Sequence, residues 1–467
     1  MTNGLHFQNL ATLVSAMREG KLSALEVTEH HLTRIEYLEP KFHAFAYLRA
    51  DAARVEAKAL DAKRARGETL GPLHGAPIAV KDLCAMAGTP TRAGGFFSTN
   101  FAADETATLV RRLQAAGAII VGKAQLTEGA WGTHHPDIPA PVSPWAPHRW
   151  SGSSSSGSGV AVAAGFAAGA IGTDTAGSIR YPSACNGLVG LKPTWGRVSR
   201  HGVFPLSDTF DHVGPIARSV LDAAMILTVI AGPDVADPTA LLAPAETWTQ
   251  AASTPSLKGV RIGLDRDFST SMLDEATSLA FRNALDTLTS AGATIVEVHL
   301  PPIDPILERA VAACFAEAAI SHATTYPSQK EKYSALYGEL LHIGRTMSAF
   351  DYAAVTIWRR EFAGHLAALF QTIDMLAVPV LPVAPPLTQH MVAVAGGSPL
   401  AAAGLLRFTL PFNLASVPSL TLPMNRMPDQ TPLGFQLIGP AMGESALLAA
   451  GAAYEVEAGY LGQNPAI

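Results

Sequence analysis

Residues 150–194 read WSGSSSSGSGVAVAAGFAAGAIGTDTAGSIRYPSACNGLVGLKPT and are the most informative part of the sequence. The serines over residues 151–158 cluster among glycines, whereas Ser178 stands alone in a glycine-containing turn. The first charged side chain of the segment is Asp174, and Arg180 follows on the other side of Ser178. Clustered hydroxyls followed by an isolated serine indicate nucleophilic chemistry, because a serine becomes a nucleophile only beside groups that activate it.

The serine-rich run leads into an apolar, alanine-rich stretch over residues 160–171. Gly/Ser-rich segments are often flexible linkers, but this continuation instead predicts a buried helix with the Ser/Gly turn over its N-terminus. Exposed backbone amides at such a terminus favour developing negative charge. The G-x-S-x-G elbow of other serine hydrolases does not occur here, because Ser156 stands where its second glycine belongs.

The composition is typical of a soluble globular enzyme. Of 467 residues, 48% are hydrophobic and 15% are charged, and a net charge of −6 without a basic run disfavours nucleic-acid binding. Cys84, Cys185 and Cys314 are too few and too widely spaced for a disulfide framework or a zinc site. The uncharged stretches 150–173 and 375–406 are broken by serine and glycine or by proline, so neither predicts a membrane-spanning helix. Since the N-terminus also lacks the basic start and apolar core of a signal peptide, we expect a cytoplasmic protein.

Helix and strand signals alternate along the chain, which predicts an α/β fold with helices on both faces of a sheet. The first 70 residues read as helical, with Ser23 and Glu26 forming an S-x-x-E capping box. We expect one domain over residues 1–467, in which residues 71–230 hold the core motifs and residues 305–372 form a mainly helical, substrate-side part. Periodicity and turn residues predict helices at 51–66, 106–116, 219–231, 273–290 and 445–454, and strands at 76–80, 118–121, 260–264, 293–298, 375–378, 419–422 and 433–438.

Residues 117–124 resemble a phosphate-binding loop without completing it. The spacing GxxxxGK is present up to Lys123, but Ala124 replaces the serine or threonine that would hold magnesium. The intervening Ala-Ile-Ile-Val is an apolar, strand-like run rather than a loop of small residues. We therefore predict no nucleotide site here.

Three motifs, in order along the chain, resemble those of the amidase signature family. The family pattern is close to GGSSGGSxAAVAAG, followed by GTDxGGSIRxPA and by GLVGLKPTxGRVS. The resemblance implies a central mixed β-sheet flanked on both faces by helices, and the chemistry of a Ser-cisSer-Lys amidohydrolase. The three motifs lie at residues 152–165, 172–182 and 187–199. Weaker matches are found to the family's lysine strand, at residues 75–82, and to its C-terminal sheet, at residues 408–423 and 433–439. The likeness runs in all from about Gly71 to Tyr454.

The resemblance assigns catalytic roles by position. Ser178 matches the nucleophile that forms the acyl-enzyme, Ser154 the bridging serine that follows a cis peptide bond, and Lys81 the catalytic lysine. The 24-residue spacing between the two serines agrees with the family pattern. Ser155 is the nearest rival for the bridging role and otherwise supports the structure. The remaining serines of the run, at positions 151, 153, 156 and 158, are expected to be turn and cap residues.

These residue types suit acyl transfer. Lys81 acts as a base only when neutral, so its pKa has to fall from about 10.4 by roughly three units, or about 4 kcal/mol, which desolvation can supply. Ser154 would relay the proton between Lys81 and Ser178. Donors to an oxyanion are worth about 3 to 4 kcal/mol each in the transition state. The implied oxyanion hole consists of the backbone amides of Thr175, Ala176, Gly177 and Ser178.

Asp174 and Arg180 flank the nucleophile and are candidates for catalysis, but we expect them to hold the turn through hydrogen bonds and an ion pair. Ala176, Ser153 and Ser156 stand where the family pattern has glycine. These replacements would be strained wherever the backbone requires a positive φ, although none of them removes a catalytic side chain.

Residues 127–135, which read TEGAWGTHH, occupy the place where the family lines its substrate pocket. We expect Gly129, Ala130 and Trp131 to bind the substrate together with Ser154. The indole of Trp131 would shelter an apolar acyl or aryl group.

Other residues near this segment have two interpretations. His134 and His135 suggest a metal, but adjacent histidines point apart in a strand and no carboxylate or thiolate ligands accompany them, so we predict no metal. Cys84, Met86 and residues 315–358 are either further walls of the pocket or ordinary core.

The predicted function is hydrolysis of small to medium apolar or aryl carboxamides through an acyl-enzyme on Ser178. Carbamates (urethanes) and esters are included because the same acyl chemistry serves them. No metal or cofactor is implied, and the expected partner is a small amide substrate, not a nucleic acid or a membrane, with the chain a monomer or a homodimer. Two alternatives stay open: the amidase subunit of a glutamine-dependent tRNA amidotransferase, disfavoured by the lack of a basic region, and an inactive binding protein on the same fold.

Overall fold

The computed structural model of the chain describes residues 4–97, 101–390 and 404–467. Apolar runs bounded by turn residues become strands within these ranges. They are β1 (Phe45–Leu48), β2 (Pro77–Lys81), β3 (Ile119–Ala124), β4 (Gly169–Asp174), β5 (Val189–Lys192), β6 (His212–Ala217), β7 (Arg261–Leu264), β8 (Thr294–Glu297), β9 (Met375–Pro379), β10 (Ser419–Pro423) and β11 (Gly434–Ile438).

All of these strands belong to one mixed sheet, in the order β1-β3-β2-β4-β6-β5-β10-β11-β9-β7-β8. The neighbours β3, β2 and β4 run parallel, as do β9, β7 and β8. The strands between these two groups pair antiparallel, and so does β1 at the edge. Helices flank the sheet, so the predicted α/β fold with a central mixed sheet is confirmed.

The helices pack against the sheet and against one another. The α-helices of the described ranges are α1 (Leu10–Arg18), α2 (Ala24–Phe42), α3 (Ala50–Ala65), α4 (Thr108–Ala115), α5 (Ser156–Ala163), α6 (Arg180–Cys185), α7 (Val220–Ile230), α8 (Trp248–Ser253), α9 (Arg266–Thr270), α10 (Glu275–Ser290), α11 (Asp304–Ser321), α12 (Ala335–Thr346), α13 (Ala349–Leu369), α14 (Leu410–Leu414) and α15 (Glu444–Ala458). Short 3₁₀ helices lie at Leu5–Phe7, Glu128–Ala130 and Lys330–Lys332.

Local side-chain chemistry explains where several helices begin. The predicted capping box at the start of α2 is confirmed: Ser23 Oγ accepts a hydrogen bond from the Glu26 amide, and the Glu26 carboxylate accepts one from the Ser23 amide. Ser219 caps α7 by accepting from the Asp222 amide. Caps of this kind are worth about 1 kcal/mol each, since they satisfy amides that lack an intrahelical partner.

The prediction of one helix over residues 160–171 is wrong. The helix α5 ends at Ala163, Gly165 turns the chain with a φ of 73°, and the apolar residues that follow form β4. A run that is buried on all sides carries no alternation of polar and apolar residues, so periodicity cannot separate a buried helix from a buried strand. The expectation that the first 70 residues are helical is wrong at β1, a strand whose residues are half-buried or exposed. The short buried strands β5 and β6 were also missed, whereas the other predicted elements are confirmed with ends shifted by a few residues.

Two segments singled out in the sequence have ordinary places in the fold. The GxxxxGK lookalike lies in β3, where Lys123 Nζ pairs with Asp82 Oδ1 at 2.7 Å. Of the uncharged stretch 375–406, β9 forms the first part, and residues 391–403 lie outside the described ranges. No helix in the described ranges combines the length and the apolar character that a membrane crossing requires.

The parallel pair β2 and β4 brings the motif residues together. Val80 of β2 is paired with Ile171 of β4, so both strands end at the same edge of the sheet. The strand β2 ends at Lys81, and β4 ends at Asp174, directly before the turn that carries Ser178. Segments 73 and more residues apart in the chain therefore meet at this edge.

Candidate active site

A buried lysine and a serine form the centre of the site. Lys81 Nζ lies 2.6 Å from Ser154 Oγ and 2.8 Å from Thr173 Oγ1, and donates a hydrogen bond to each. The three side chains are almost completely buried. The peptide bond between Ser153 and Ser154 is cis. The structure thus brings together two of the three residues that the sequence motifs assign to catalysis.

Burial changes the proton affinity of Lys81. Removal from water disfavours the ammonium form and lowers the pKa of Lys81 to about 7, although the negative charges of Asp211 and Asp174 and the Cys84 thiol oppose the shift. A lysine with this pKa is substantially neutral at pH 7 and can accept a proton from a hydroxyl.

Four other hydroxyls of the serine run are engaged elsewhere. Ser155 Oγ donates to Thr173 O at 3.2 Å and accepts from Thr173 N at 3.3 Å, so it is bound to the backbone of β4 and not to Lys81. Further side-chain partners are Pro141 O for Ser151, His134 Nε2 for Ser156 and Ile171 O for Ser158.

Ser178 lies in the turn between β4 and α6. Its backbone carbonyl accepts a hydrogen bond from the Ser155 amide at 3.3 Å, which joins this turn to the serine run. The residue keeps 8% of its surface exposed, and no side-chain acceptor or donor of the described residues holds its hydroxyl. The hydroxyl is therefore available to an incoming carbonyl. Catalytic hydrogen bonds often shorten only when substrate is bound.

The turn before Ser178 presents backbone amides. Within the described ranges the amides of Thr175, Ala176 and Ser178 have no protein acceptor, whereas the Gly177 amide donates to Asp174 Oδ1 at 2.8 Å. Three of the four amides implied by the family resemblance are thus free to bind an oxyanion.

The three replacements of family glycines do not lie at positions that require a positive φ. Ala176, Ser153 and Ser156 all have negative φ values. The turn needs its positive φ at Gly177 instead, where φ is 130° and a Cβ would lie 2.4 Å from the ring of Tyr181.

Asp174 and Arg180 form a buried pair that braces this turn. The Asp174 carboxylate accepts from the amides of Gly177 and Ile179 and from the Arg180 guanidinium, at 2.9 Å for Nη2 and 3.0 Å for Nε. Burial by itself would raise the pKa of Asp174, but the Arg180 charge outweighs it and holds the pKa well below its usual range. Among the described residues, the hydrogen bonds of this carboxylate come from the turn itself, from Arg180 and from Asn413.

Sequence patterns missed several residues that complete the site. Thr173 Oγ1 accepts a hydrogen bond from Lys81 Nζ. Asn413 Nδ2 donates to Asp174 Oδ1 at 2.8 Å, and Thr409 Oγ1 donates to Ala176 O at 2.6 Å. Each is a polar residue in an otherwise apolar segment, and such residues are normally buried only with partners. That signal marks them as engaged but does not identify the partner.

The segment expected to line the substrate pocket is shaped by aromatic packing. Gly129 and Ala130 both have positive φ, and Trp131 packs edge-on against Phe315 with ring centroids 5.3 Å apart. The Gly129 carbonyl accepts from Tyr337 Oη at 3.1 Å, and a Cβ on Gly129 would lie 2.0 Å from the Tyr337 ring. The helices α11 and α12 therefore fix this loop.

The two histidines of that segment have different partners. His134 Nε2 lies 2.9 Å from Ser156 Oγ, and burial lowers the pKa of His134 to about 4. His135 Nδ1 lies 3.8 Å from Asp137 Oδ2. Across the residues that the structure describes, no group of three His, Cys, Asp or Glu side chains is arranged to hold a metal ion. Cys84 and Met86 are buried in the core.

Known proteins resemble this chain along most of its length. A model of the sequence family described as Amidase matches residues 26–448. A Mycobacterium tuberculosis protein with the provisional name amidase AmiD is 41% identical, over 98% of this chain and 96% of its own. A glutamyl-tRNA(Gln) amidotransferase subunit of Chloroflexus aggregans is 36% identical, over 97% of this chain and 96% of its own.

Solved structures show the same likeness. The native peptide amidase of Stenotrophomonas maltophilia superposes with a TM-score of 0.83 and 33% sequence identity. The match covers 98% of each chain.

Proposed function

The chain belongs to the amidase family, whose enzymes hydrolyse amide C–N bonds, and we propose that its substrates are small to medium apolar or aryl carboxamides. Carbamates and esters of similar shape are included in the proposal. The observation that carries the proposed hydrolysis is the buried contact of Lys81 Nζ with Ser154 Oγ at 2.6 Å, next to the turn of Ser178. One continuous sheet through the described ranges supports a single amidase domain over residues 1–467.

The proposed reaction has two halves. Neutral Lys81 takes the proton of Ser154, Ser154 takes that of Ser178, and Ser178 Oγ attacks the substrate carbonyl. The amides of the preceding turn stabilise the negative charge on the tetrahedral oxygen. The C–N bond then breaks, and the proton held by Lys81 returns through Ser154 to the departing amine. Water attacks the acyl-enzyme by the same route and releases the carboxylic acid, which restores Ser178.

The environment of the loop supports the choice of substrate. Trp131, which is partly exposed in the segment before the serine run, packs edge-on against the buried ring of Phe315, and Phe315 in turn packs against the buried ring of Tyr337. Aromatic side chains favour apolar and aryl groups because they bury large area and stack at defined angles.

The proposal is tested by a substrate panel on the purified chain. Aliphatic amides, anilides, carbamates and esters are incubated in parallel, and amine and acid release are measured separately. For the amides and anilides we expect equal amounts of amine and acid. For the esters we expect equal amounts of alcohol and acid, and for the carbamates amine and alcohol with carbon dioxide, so alcohol release is measured as well. The highest kcat/KM is expected for apolar or aryl acyl groups. A fluorophosphonate probe should label the same preparation. No turnover across the panel together with no labelling would refute the proposal and favour an inactive binding protein.

The second candidate is the amidase subunit of a glutamine-dependent tRNA amidotransferase. Its support is the likeness to the Chloroflexus aggregans amidotransferase subunit, which spans nearly the whole chain. The net charge of −6 disfavours direct contact of this chain with tRNA. Glutamine hydrolysis that requires partner subunits and tRNA, with no turnover of simple amides, would favour this candidate over the first.

Ser154 and its neighbour Ser155 are expected to respond differently to substitution by alanine. Ser154→Ala removes the proton relay, so kcat should fall about 10²- to 10⁴-fold, the range of general acid–base catalysis. Ser155→Ala loses only hydrogen bonds to the backbone of Thr173, which should cost about 1–3 kcal/mol of stability and leave kcat within about tenfold.

The measurement is kcat on the best substrate of the panel, with thermal unfolding of each variant. Ser158→Ala is the matched control, because Ser158 also bonds to the β4 backbone, at Ile171 O. A folded Ser155→Ala variant that is inactive, beside an active Ser154→Ala variant, would assign the bridging role to Ser155 instead.

A further inference from the structure

Asp211 is a buried carboxylate that the proposed reaction does not use. It precedes β6, and its Oδ2 accepts from the amides of Leu206 at 2.9 Å and Ser207 at 3.1 Å. Its Oδ1 accepts from Thr175 Oγ1 at 2.5 Å. The carboxylate is therefore anchored on one side by backbone and reaches the oxyanion turn on the other.

The Thr175 contact is the important one for the site. Thr175 follows Asp174, and its own amide and that of Ala176 have no protein acceptor within the described ranges. The hydrogen bond from Thr175 Oγ1 to the anchored carboxylate restricts the rotation of Thr175 and so limits how far its peptide can reorient. Preorganised donors of this kind stabilise an oxyanion better than donors that must reorient.

Asp211 also faces the lysine. Its negative charge is the largest influence opposing the desolvation of Lys81. Burial raises the pKa of Asp211 itself to about 6, against the hydrogen bond from Thr175 and the Arg200 charge. The other ionisable groups that sense this carboxylate lie on α11 and α12 and are Cys314 and Tyr337.

A cavity of about 300 Å³ borders the carboxylate. The cavity is lined by Asp211 and by Thr173, the second hydrogen-bond acceptor of Lys81. Water in this cavity can solvate the carboxylate, which favours its ionised form. Charged and titratable side chains on the cavity wall are Arg200, His201, Asp208, Asp211 and Asp237.

We propose that Asp211 is a positioning residue that couples the two halves of the site: it fixes the Thr175 side chain, and thereby the oxyanion amides, while its charge acts on Lys81. This inference rests on the proposed hydrolysis at Ser178. It assigns Asp211 no contact with the substrate and no proton transfer.

Two variants separate the two roles. Thr175→Val keeps the shape of the side chain but donates no hydrogen bond, so we expect kcat to fall about 10- to 100-fold, less than the loss of a whole oxyanion donor, with KM within about twofold. Thr175→Ser restores the donor and should recover most of the loss. Thr28→Val is the control, because Thr28 is buried in α2 and its hydroxyl has no partner in the described ranges.

Asp211→Asn removes the charge. Without this charge, less opposes the effect of desolvation on Lys81, so the pKa of Lys81 falls further. The neutral amine then forms at lower pH, and the acid limb of the kcat/KM profile should move to lower pH. Thr175→Val should leave that limb in place. A purely structural Asp211 would lower the melting temperature and move neither readout.

The outcomes distinguish this inference from the proposed function. If the wild type hydrolyses amides, but folded Thr175→Val keeps its kcat or folded Asp211→Asn keeps its acid limb, the coupling role of Asp211 is overturned alone. If the wild type has no hydrolytic activity and no fluorophosphonate labelling, the proposed function and this inference are overturned together. If Asp211→Asn does not fold, kcat of Thr175→Val decides the inference, since a value equal to that of the wild type overturns it.

Discussion

Ser178→Ala is expected to reduce amide hydrolysis about 10⁴-fold or more, since removal of a nucleophile from a covalent mechanism leaves only binding and oxyanion stabilisation. The substitution removes one oxygen atom that no described residue holds, so the melting temperature should change little. The measurement is single-turnover and steady-state hydrolysis of the best substrate, together with labelling by a fluorophosphonate. That probe forms an oxygen–phosphorus bond with an activated serine and releases fluoride.

The matched control is Ser183→Ala in α6. Ser183 is also buried near the turn, but its hydroxyl donates to Ile179 O at 2.8 Å and is occupied by that bond. We expect this variant to keep both activity and labelling. Labelling of Ser178→Ala at the wild-type rate would show that another serine is the nucleophile.

Lys81→Met is expected to reduce kcat about 10³- to 10⁴-fold, because it removes the base and leaves an apolar chain of similar length. Ser154 Oγ and Thr173 Oγ1 lose their common partner, so we also expect a stability loss of about 1–3 kcal/mol. Steady-state kinetics with thermal unfolding of the variant separates the two effects. Wild-type kcat in a folded Lys81→Met variant would contradict the assigned base.

The pH profile of the wild type tests the state of the lysine. The pKa of Lys81 is lowered to about 7 by burial, and the neutral amine is the active form, so kcat/KM should rise as pH increases through about 7. Lys81→Arg is the sharper control, since a guanidinium keeps the positive charge and stays protonated at every accessible pH. Activity in Lys81→Arg would indicate that the residue acts through its charge and not as a base.

The residues of the candidate active site differ in how far the sequence could predict them. Lys81, Ser154 and Ser178 were predicted because each lies in a local motif with characteristic neighbours and spacing. Asn413 and Thr409 were not predicted, because no neighbouring residue indicates a contact with Asp174 or Ala176, which lie more than 200 residues earlier in the chain. Asp211 also lay outside the motifs, and its connection to Thr175 is visible only as a 2.5 Å contact.

The sequence by itself determined the elements whose signals are local. The capping box of Ser23 and Glu26 starts α2, and apolar runs bounded by turns became the predicted strands, since short-range sterics and hydrogen bonds act between close neighbours. Tertiary structure alone decided that residues 160–171 contain a helix end and a strand, because a fully buried run is equally apolar in either conformation. It also decided the proton affinity of Lys81. A lowered pKa follows from burial and from nearby charges, and only packing of distant segments around the amine creates both.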